Sequence, residues 1–478
     1  MELKPLARFA PLLMSLMLSA ACAHYEPKPL EPEQTLRQFQ SRRLTDAGIL
    51  ARVRAATAPR TADQDAAEPV TWGRAQLLVA ALELNPALAE SRAQLEQAST
   101  ALGTARALQN PTVNLAAEYD VSRAGESPWL WGIGTGFLLD TFFSRPKRID
   151  LAQAGIRGAH ADFSEALWTV RRDLRTALLA VVIARKRVDA LELDVRQRTE
   201  LVNLARSRVS AGESARSEES QASLELSRAQ TSWDDAHRLL AEGQGALAAA
   251  LGVTADALNE ITPQWEDLDR LERPDELSLR GLRDQALLSR PDLERAIADY
   301  QARDLDLRQQ VTSQYLQASL GPGYTWDHGV RKVTLGASFS LPIFNRNEGP
   351  IAEAHAARET AGRHAVTVQA NILSQIDAAT ATYSTALAAL ERIRRQRTLN
   401  ESLAASARRA LDVDVGDRPT LLIAELAVST ERIAEIDAIE RAQQALGQLE
   451  DALHTPLFGP EMRLRALDAP PSIPRKSP

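Results

Sequence analysis

Cys22 is the only cysteine in the 478-residue chain, and it directly follows the apolar stretch "SLMLSAA". A lone cysteine makes no intramolecular disulfide and no cysteine-based metal site, so its chemistry is that of a single nucleophilic thiol. The seven histidines, at positions 24, 160, 237, 328, 355, 364 and 454, lie far apart in sequence. None belongs to an HExxH zinc motif, and the chain has no Gly-rich phosphate loop and no Gly-x-Ser-x-Gly elbow. His355 and His364 share one predicted helix and read as structural or solvent-facing. No Met, Cys or His cluster marks a metal carrier, so no metal and no cofactor is expected, and the chain does not read as an enzyme.

What lies around Cys22 gives the thiol a use. Lys4 and Arg8 form a small positive region, and Phe9 to Ala21 form an apolar run too short to span a bilayer, which takes about 20 residues. Residues 1–21 therefore read as an export signal. "LSAAC" resembles a bacterial lipobox, in which the cysteine after small residues is diacylated and becomes the new N-terminus, with Cys22 as lipid anchor. Leu18 sits one place further out than that pattern prefers, with Ser19 in its slot, so the alternative is ordinary signal-peptidase cleavage beside an incidental cysteine. Ala23 is not an aspartate, which by resemblance to lipoprotein sorting favours the outer membrane.

The listener to this leader is an acidic chain. The net charge of −7 becomes about −8 once Glu2, Lys4 and Arg8 leave with the signal, which argues against a nucleic-acid partner. No later stretch reaches the roughly 18 apolar residues of a transmembrane helix, so the mature protein is either soluble or crosses a membrane as strands. Residues 22–70, rich in Pro, Glu, Gln and Arg, read as an anchored tether with one short helix around Thr35 to Ala51.

From Thr71 onward Ala, Leu, Arg, Glu and Gln recur at helical spacing. From about Arg148 to Val209 the chain lacks Pro and nearly lacks Gly, which predicts one very long helix of about 90 Å. A rod of that length is at home in coiled-coil packing against similar helices.

The same script then runs twice. "ALELNPALAESRAQLEQA" around Asn85-Pro86 is answered by "ALLSRPDLERAIADYQA" around Arg290-Pro291, and "GIGTGFLLDTFF" by "TLGASFSLPIFN". "SAGESARSEESQA" around Gly212 is answered by "DVGDRPTLLIAEL" around Gly416. An offset of about 200 residues is a tandem duplication of a large unit. The expected repeats are 71–265 and 276–455, followed by a flexible tail, 456–478.

Each repeat holds one segment of period 2, expected as hairpins 112–143 and 315–344. Val113, Leu115, Ala117 and Tyr119 alternate with Asn114, Ala116 and Glu118, and Val333, Leu335, Ala337 and Phe339 alternate with Thr334, Gly336 and Ser338. One apolar face and one small or polar face suit a strand between lipid and water. Half of the 22 aromatic residues fall in these two segments. Tyr119, Trp129, Trp131, Phe142, Phe143, Tyr324, Trp326 and Phe344 lie near the expected strand ends, where interfacial girdles sit. Four strands are too few to close a barrel, since eight is about the smallest, so the others must come from further subunits.

These features together resemble the TolC-type outer membrane factors, the exit ducts of tripartite efflux pumps. The resemblance covers nearly everything after residue 71 and is carried by the duplicated helix–hairpin–helix plan, "SLPIFNRNEGPIAEAHAAR" from Ser340 and "VGDRPTLLIAE" from Val415. It implies a mainly α protein with transmembrane β: a homotrimer whose three sets of four strands form a 12-stranded barrel in the bacterial outer membrane, above a coiled-coil α-barrel in the periplasm. The implied partners are outer membrane lipid, a periplasmic adaptor protein and an inner membrane pump, often of the resistance-nodulation-division class. Substrate would pass passively. The resemblance places Arg418 and Glu425 at the periplasmic gate, with Leu422 at a second, usually acidic position that would make the gate more hydrophobic. Gly212 and Glu218 take the equivalent places in the first repeat, with Gly212 and Gly416 as the turn glycines at the helix tips. "YEPKPLEPEQTLRQFQSRRL" resembles the N-terminal arm of factors paired with heavy-metal pumps. The competing reading is a lipid-anchored periplasmic coiled-coil scaffold, which would have no need of two aromatic-rich hairpins.

Overall fold

The computed structural model describes residues 25–57, 70–108, 110–121, 127–138, 140–314, 317–340 and 343–464. Cys22 and the leader lie outside the described residues. The chain divides into two units, one ending at Arg42 and one starting at Arg43. Within the first, α1 (Pro32–Gln40) has Pro at its start and no buried residue, and the Arg42 guanidinium stands 5.0 Å from the centre of the Phe39 ring.

The second unit begins with α2 (Ala47–Thr57), so the single helix expected around Thr35 to Ala51 is two. Leu44, Ile49 and Val53 are buried in the main core, and Arg43 and Thr45 both reach Glu260, at 3.1 and 2.7 Å. Two equivalent series of elements follow. The first runs α3 (Arg74–Leu84), α4 (Pro86–Arg106), β1 (Thr112–Tyr119), β2 (Trp129–Leu138), α5 (Asp140–Ser210) and α6 (Arg216–Leu251). After the one-turn α7 (Ala255–Leu258) come α8 (Glu276–Ser289), α9 (Pro291–Ser313), β3 (Gln317–Asp327), β4 (Val330–Ser340), α10 (Glu348–Asp412) and α11 (Arg418–Leu453). A short 3-10 turn, Pro460–Arg463, closes the described chain.

The long helices exceed expectation. With 71 and 65 residues, α5 and α10 measure about 105 and 100 Å. The helix expected to begin near Arg148 starts at Asp140 and carries Pro146 inside it. Pro146 breaks one backbone bond, but its neighbours tie the first turns down. Arg145 Nε donates to the Arg106 carbonyl at 2.9 Å, Arg148 donates to the Ala107 carbonyl, and Lys147 donates to the Thr312 hydroxyl.

Packing follows heptads of small or branched residues. Ala222, Ala229, Ala236 and Gly243 recur every seven residues as buried positions of α6, and a Cβ on Gly243 would stand 3.3 Å from Val181 of α5. Ile372, Ile376, Ala379, Tyr383, Leu387 and Leu390 form the corresponding seam of α10. Small side chains let the helix axes come close, and each seam removes apolar area from water at about 25 cal/mol per Å².

The expected flexible tail is in part core. Glu461 and Leu464 are buried, Glu461 because it meets the Arg171 guanidinium of α5 at 2.7 Å. Nearby, His454 Nε2 lies 2.9 Å from the Glu165 carboxylate and its ring stacks 5.0 Å from that of Trp168. The His454 hydrogen bond holds Glu165 below the ordinary carboxylate range, against the opposing effect of its partial burial. A carboxylate with a depressed folded pKa adds stability above its unfolded pKa and loses it as pH falls through the folded one. Glu165→Gln is therefore expected to lower stability near neutrality and to flatten the acid limb of a thermal-melt series; an unaltered pH profile would dismiss the clamp.

Candidate functional site

The strands form one antiparallel sheet in the order β1-β2-β3-β4, leaving one side of β1 and of β4 without a partner among the described residues. The segments expected as hairpins 112–143 and 315–344 are shorter as strands, because α5 begins at Asp140 and β4 ends at Ser340. Register decides which residues share a face. Leu115 pairs with Ile133, Ile133 with Tyr324, and Tyr324 with Val333. Val113, Tyr119, Trp129, Trp131, Leu320, Trp326, Leu335 and Phe339 fall on the same side. Apart from Thr135 and Arg331, that face is apolar, and it is exposed, Leu115 at 78% and Val333 at 86%. The opposite face carries Asn114, Glu118, Thr325, Lys332, Thr334 and Ser338 among glycines 132, 134, 136, 321, 323 and 336. An apolar patch this continuous needs a solvent other than water or a cover.

Five of the predicted aromatics converge at one end of this face. Tyr119 meets Trp129 edge-on at 4.9 Å, and Trp131 lies 5.7 Å from Tyr324 and 6.4 Å from Trp326. The two-residue turn of β3 and β4, His328-Gly329, has both residues at positive φ, which matches the twist of the strands. Phe344 is at the other end, fully exposed in the loop before α10. Phe142 and Phe143 are not strand residues but lie in the first turn of α5; their side chains are outside the described residues.

At the far ends of the long helices, each helical pair turns over through the same device. Gly212 has φ +75°, and Glu213 and Gly212 donate backbone bonds to Arg208 and Val209. In the second repeat Val415 and Asp414 donate to Ala410 and Leu411, and the left-handed residue is Asp414, φ +57°. Asp414, not Gly416, is thus the counterpart of Gly212; Asp tolerates this conformation where bulkier residues do not. Gly416 is needed for space, since a Cβ there would stand 3.1 Å from the Ala410 Cβ and the Leu411 nitrogen.

Asp417 then caps α11, accepting from the Thr420 amide at 2.9 Å. The Thr420 hydroxyl and amide hold its carboxyl below the ordinary range. Arg418 reaches across to Glu200 of α5 with two bonds of 2.8 and 2.6 Å. Glu425, half-buried, is ion-paired with Arg408 of α10, and Ser429 donates to Gln197 of α5 at 2.6 Å. Gln197, Glu200, Arg408, Glu425 and Ser429 line a groove between α5, α10 and α11. Leu422 does not make a hydrophobic gate within this chain: it is fully buried, and the exposed apolar residue beside it is Ile423. Glu218 is exposed and bonded to Ser214 at the start of α6, apart from these interhelical ties. Glu200, Arg408 and Asp417 were not singled out from the sequence, where each is one charge among many on a long polar helix.

Among the described residues no group of three or more His, Cys, Asp or Glu is placed to hold a metal. No described helix is long and apolar enough to cross a membrane.

Residues 77–253 match the family model of the outer membrane efflux protein. No curated protein sequence matches the chain. Among solved structures, the outer membrane protein VceC of Vibrio cholerae superposes with TM-score 0.65 at 17% identity, over 80% of this chain and 97% of that one. The CmeC outer membrane channel of Campylobacter jejuni gives 0.65 at 14% identity over 82% and 89%. The MtrE outer membrane channel of Neisseria gonorrhoeae, in its open state, gives 0.65 at 18% over 80% and 89%.

Proposed function

We propose that this chain, which carries an outer membrane efflux protein module over residues 77–253 and has the fold of outer membrane channels, is the channel-tunnel of an efflux system. The observation that carries the reading is the sheet: four strands with one exposed apolar face, two open edges and a small, polar opposite face, set at the head of very long paired helices. An open edge is a template for further strands. Three copies would supply twelve strands, enough to close a barrel with lipid outside and water inside. A coiled-coil scaffold gives no reason for that face.

In this reading the protein is a homotrimer that passes drugs, metal ions or other small molecules from a periplasmic adaptor and an inner membrane pump to the outside. The duct does no chemistry; the pump supplies the driving force. Cys22 anchors the chain to the outer membrane through its lipid. Radiolabelled palmitate should then enter the wild-type protein and not Cys22→Ser; label in both would remove the anchor.

The pairs of Arg418 with Glu200 and of Arg408 with Glu425 hold the helix tips together. Exposed ion pairs of this kind contribute about 0–1 kcal/mol each, a scale suited to a closure that another protein can open. Rings of carboxylates also favour cations. Glu425→Gln is expected to raise leakage and lower cation preference in planar bilayers. Unchanged conductance would take Glu425 out of the gate.

A further inference from the structure

Where the strands give way to helices, the chain gathers positive charge that has no acidic partner among the described residues. Arg106 closes α4, Arg145, Lys147 and Arg148 lie in the first turns of α5, and Arg346 precedes α10. Among the described residues, Arg145, Lys147 and Arg148 bond to neutral groups, two backbone carbonyls and the Thr312 hydroxyl. The Arg148 Nε is buried without a partner. Arg106 and Arg346 are exposed and make no ion pair among the described residues. The same segments hold only Asp140, Asp150 and Glu348 as acids, in a chain whose net charge is −7.

The cations are interleaved with apolar side chains that face solvent. Leu108 is 57% exposed, Ile343 69%, and Phe344 fully. Apolar residues that dip into acyl chains beside long basic residues that reach back to the headgroups are the two halves of an interfacial anchor.

We propose that this collar binds the phosphates of anionic phospholipids in the leaflet that faces the periplasm. The proposal rests on the reading of the sheet as a membrane barrel, which puts the strand–helix junctions at that leaflet. Basic side chains near an anionic surface gain from its potential, and salt screens the gain. The occupant is lipid, because the charge comes with exposed Ile343 and Phe344, which a soluble anion would leave in water.

The test is reconstitution of the full-length protein in nanodiscs of phosphatidylcholine alone or mixed with phosphatidylglycerol. Lipid retained after detergent extraction is then counted by native mass spectrometry. The wild type is expected to keep phosphatidylglycerol preferentially, with the preference falling as salt rises. Arg106→Gln and Arg346→Gln, at exposed positions without partners, should each weaken retention about fivefold while leaving phosphatidylcholine retention and single-channel conductance unchanged. Equal retention of phosphatidylglycerol by wild type and by a variant carrying both substitutions overturns the collar. A wild type that inserts and conducts but shows no lipid preference also overturns the collar and leaves the channel standing. Failure to insert into either bilayer overturns both.

Discussion

Replacing Arg171 by Met is expected to destabilise the protein by about 3–5 kcal/mol, the cost of breaking a buried ion pair by removing one partner. Arg171 is 1% exposed and donates to Glu450 and Glu461, each at 2.7 Å. Its guanidinium also lies 4.6 Å from the Trp168 ring. Burial alone would raise the Glu450 pKa, but Arg171 and Arg175 outweigh it and keep the carboxyl ionised. Without Arg171, the buried Glu450 and Glu461 carboxylates lose the guanidinium they share, and desolvation is no longer offset. The group joins α5 of the first repeat to the end of α11 and the segment after it, so its loss should also expose that segment. Thermal melts and limited proteolysis read both effects. Replacing Arg171, Glu450 and Glu461 together by apolar residues of similar volume should recover most of the stability; if it does not, the packing rather than the charge pairing is what matters here.

Gly321→Val is expected to abolish barrel assembly while leaving the helices intact. The two hairpins are joined through the pairing of β2 with β3, and a Cβ on Gly321 would stand 1.9 Å from the Thr135 carbonyl oxygen. Backbone cannot swing aside as a side chain does, so the strands must part, at or above about 3 kcal/mol. Gly336→Ala is the matched control, since the nearest atom to its added Cβ is 3.7 Å away, an ordinary contact. Far-ultraviolet circular dichroism should be unchanged in both variants. An oligomer on mild-detergent gels is expected for the wild type and Gly336→Ala and should be missing for Gly321→Val; an oligomer formed by Gly321→Val would place the β2–β3 junction outside the assembly.

The parts legible in the sequence are those governed by a period. Alternation along Val113–Tyr119 and Val333–Phe339 marks strands, and pairing register then puts these residues on one face. The duplicated spacing likewise marks two equivalent series of elements. The misread parts turn on interactions between distant residues. Glu461 looks like one charge in a polar tail until Arg171, 290 positions away, stands beside it. Leu44 and Val53 look like isolated apolar residues in a tether until the core covers them. Pro146 looks like a helix boundary, because the carbonyls that hold its neighbours belong to α4. At the helix tips the glycines 212 and 416 invite alignment by residue type, whereas hydrogen bonding aligns Gly212 with Asp414. The ties of Arg418 to Glu200 and of Glu425 to Arg408 cross between helices, and no local pattern announces them.

The measurement closest to the central claim is the mass of the detergent-extracted protein together with its single-channel conductance in a planar bilayer. A trimer with a small, cation-preferring conductance is the expected result. A water-soluble monomer or dimer that never conducts would contradict the barrel and leave a helical scaffold as the better account.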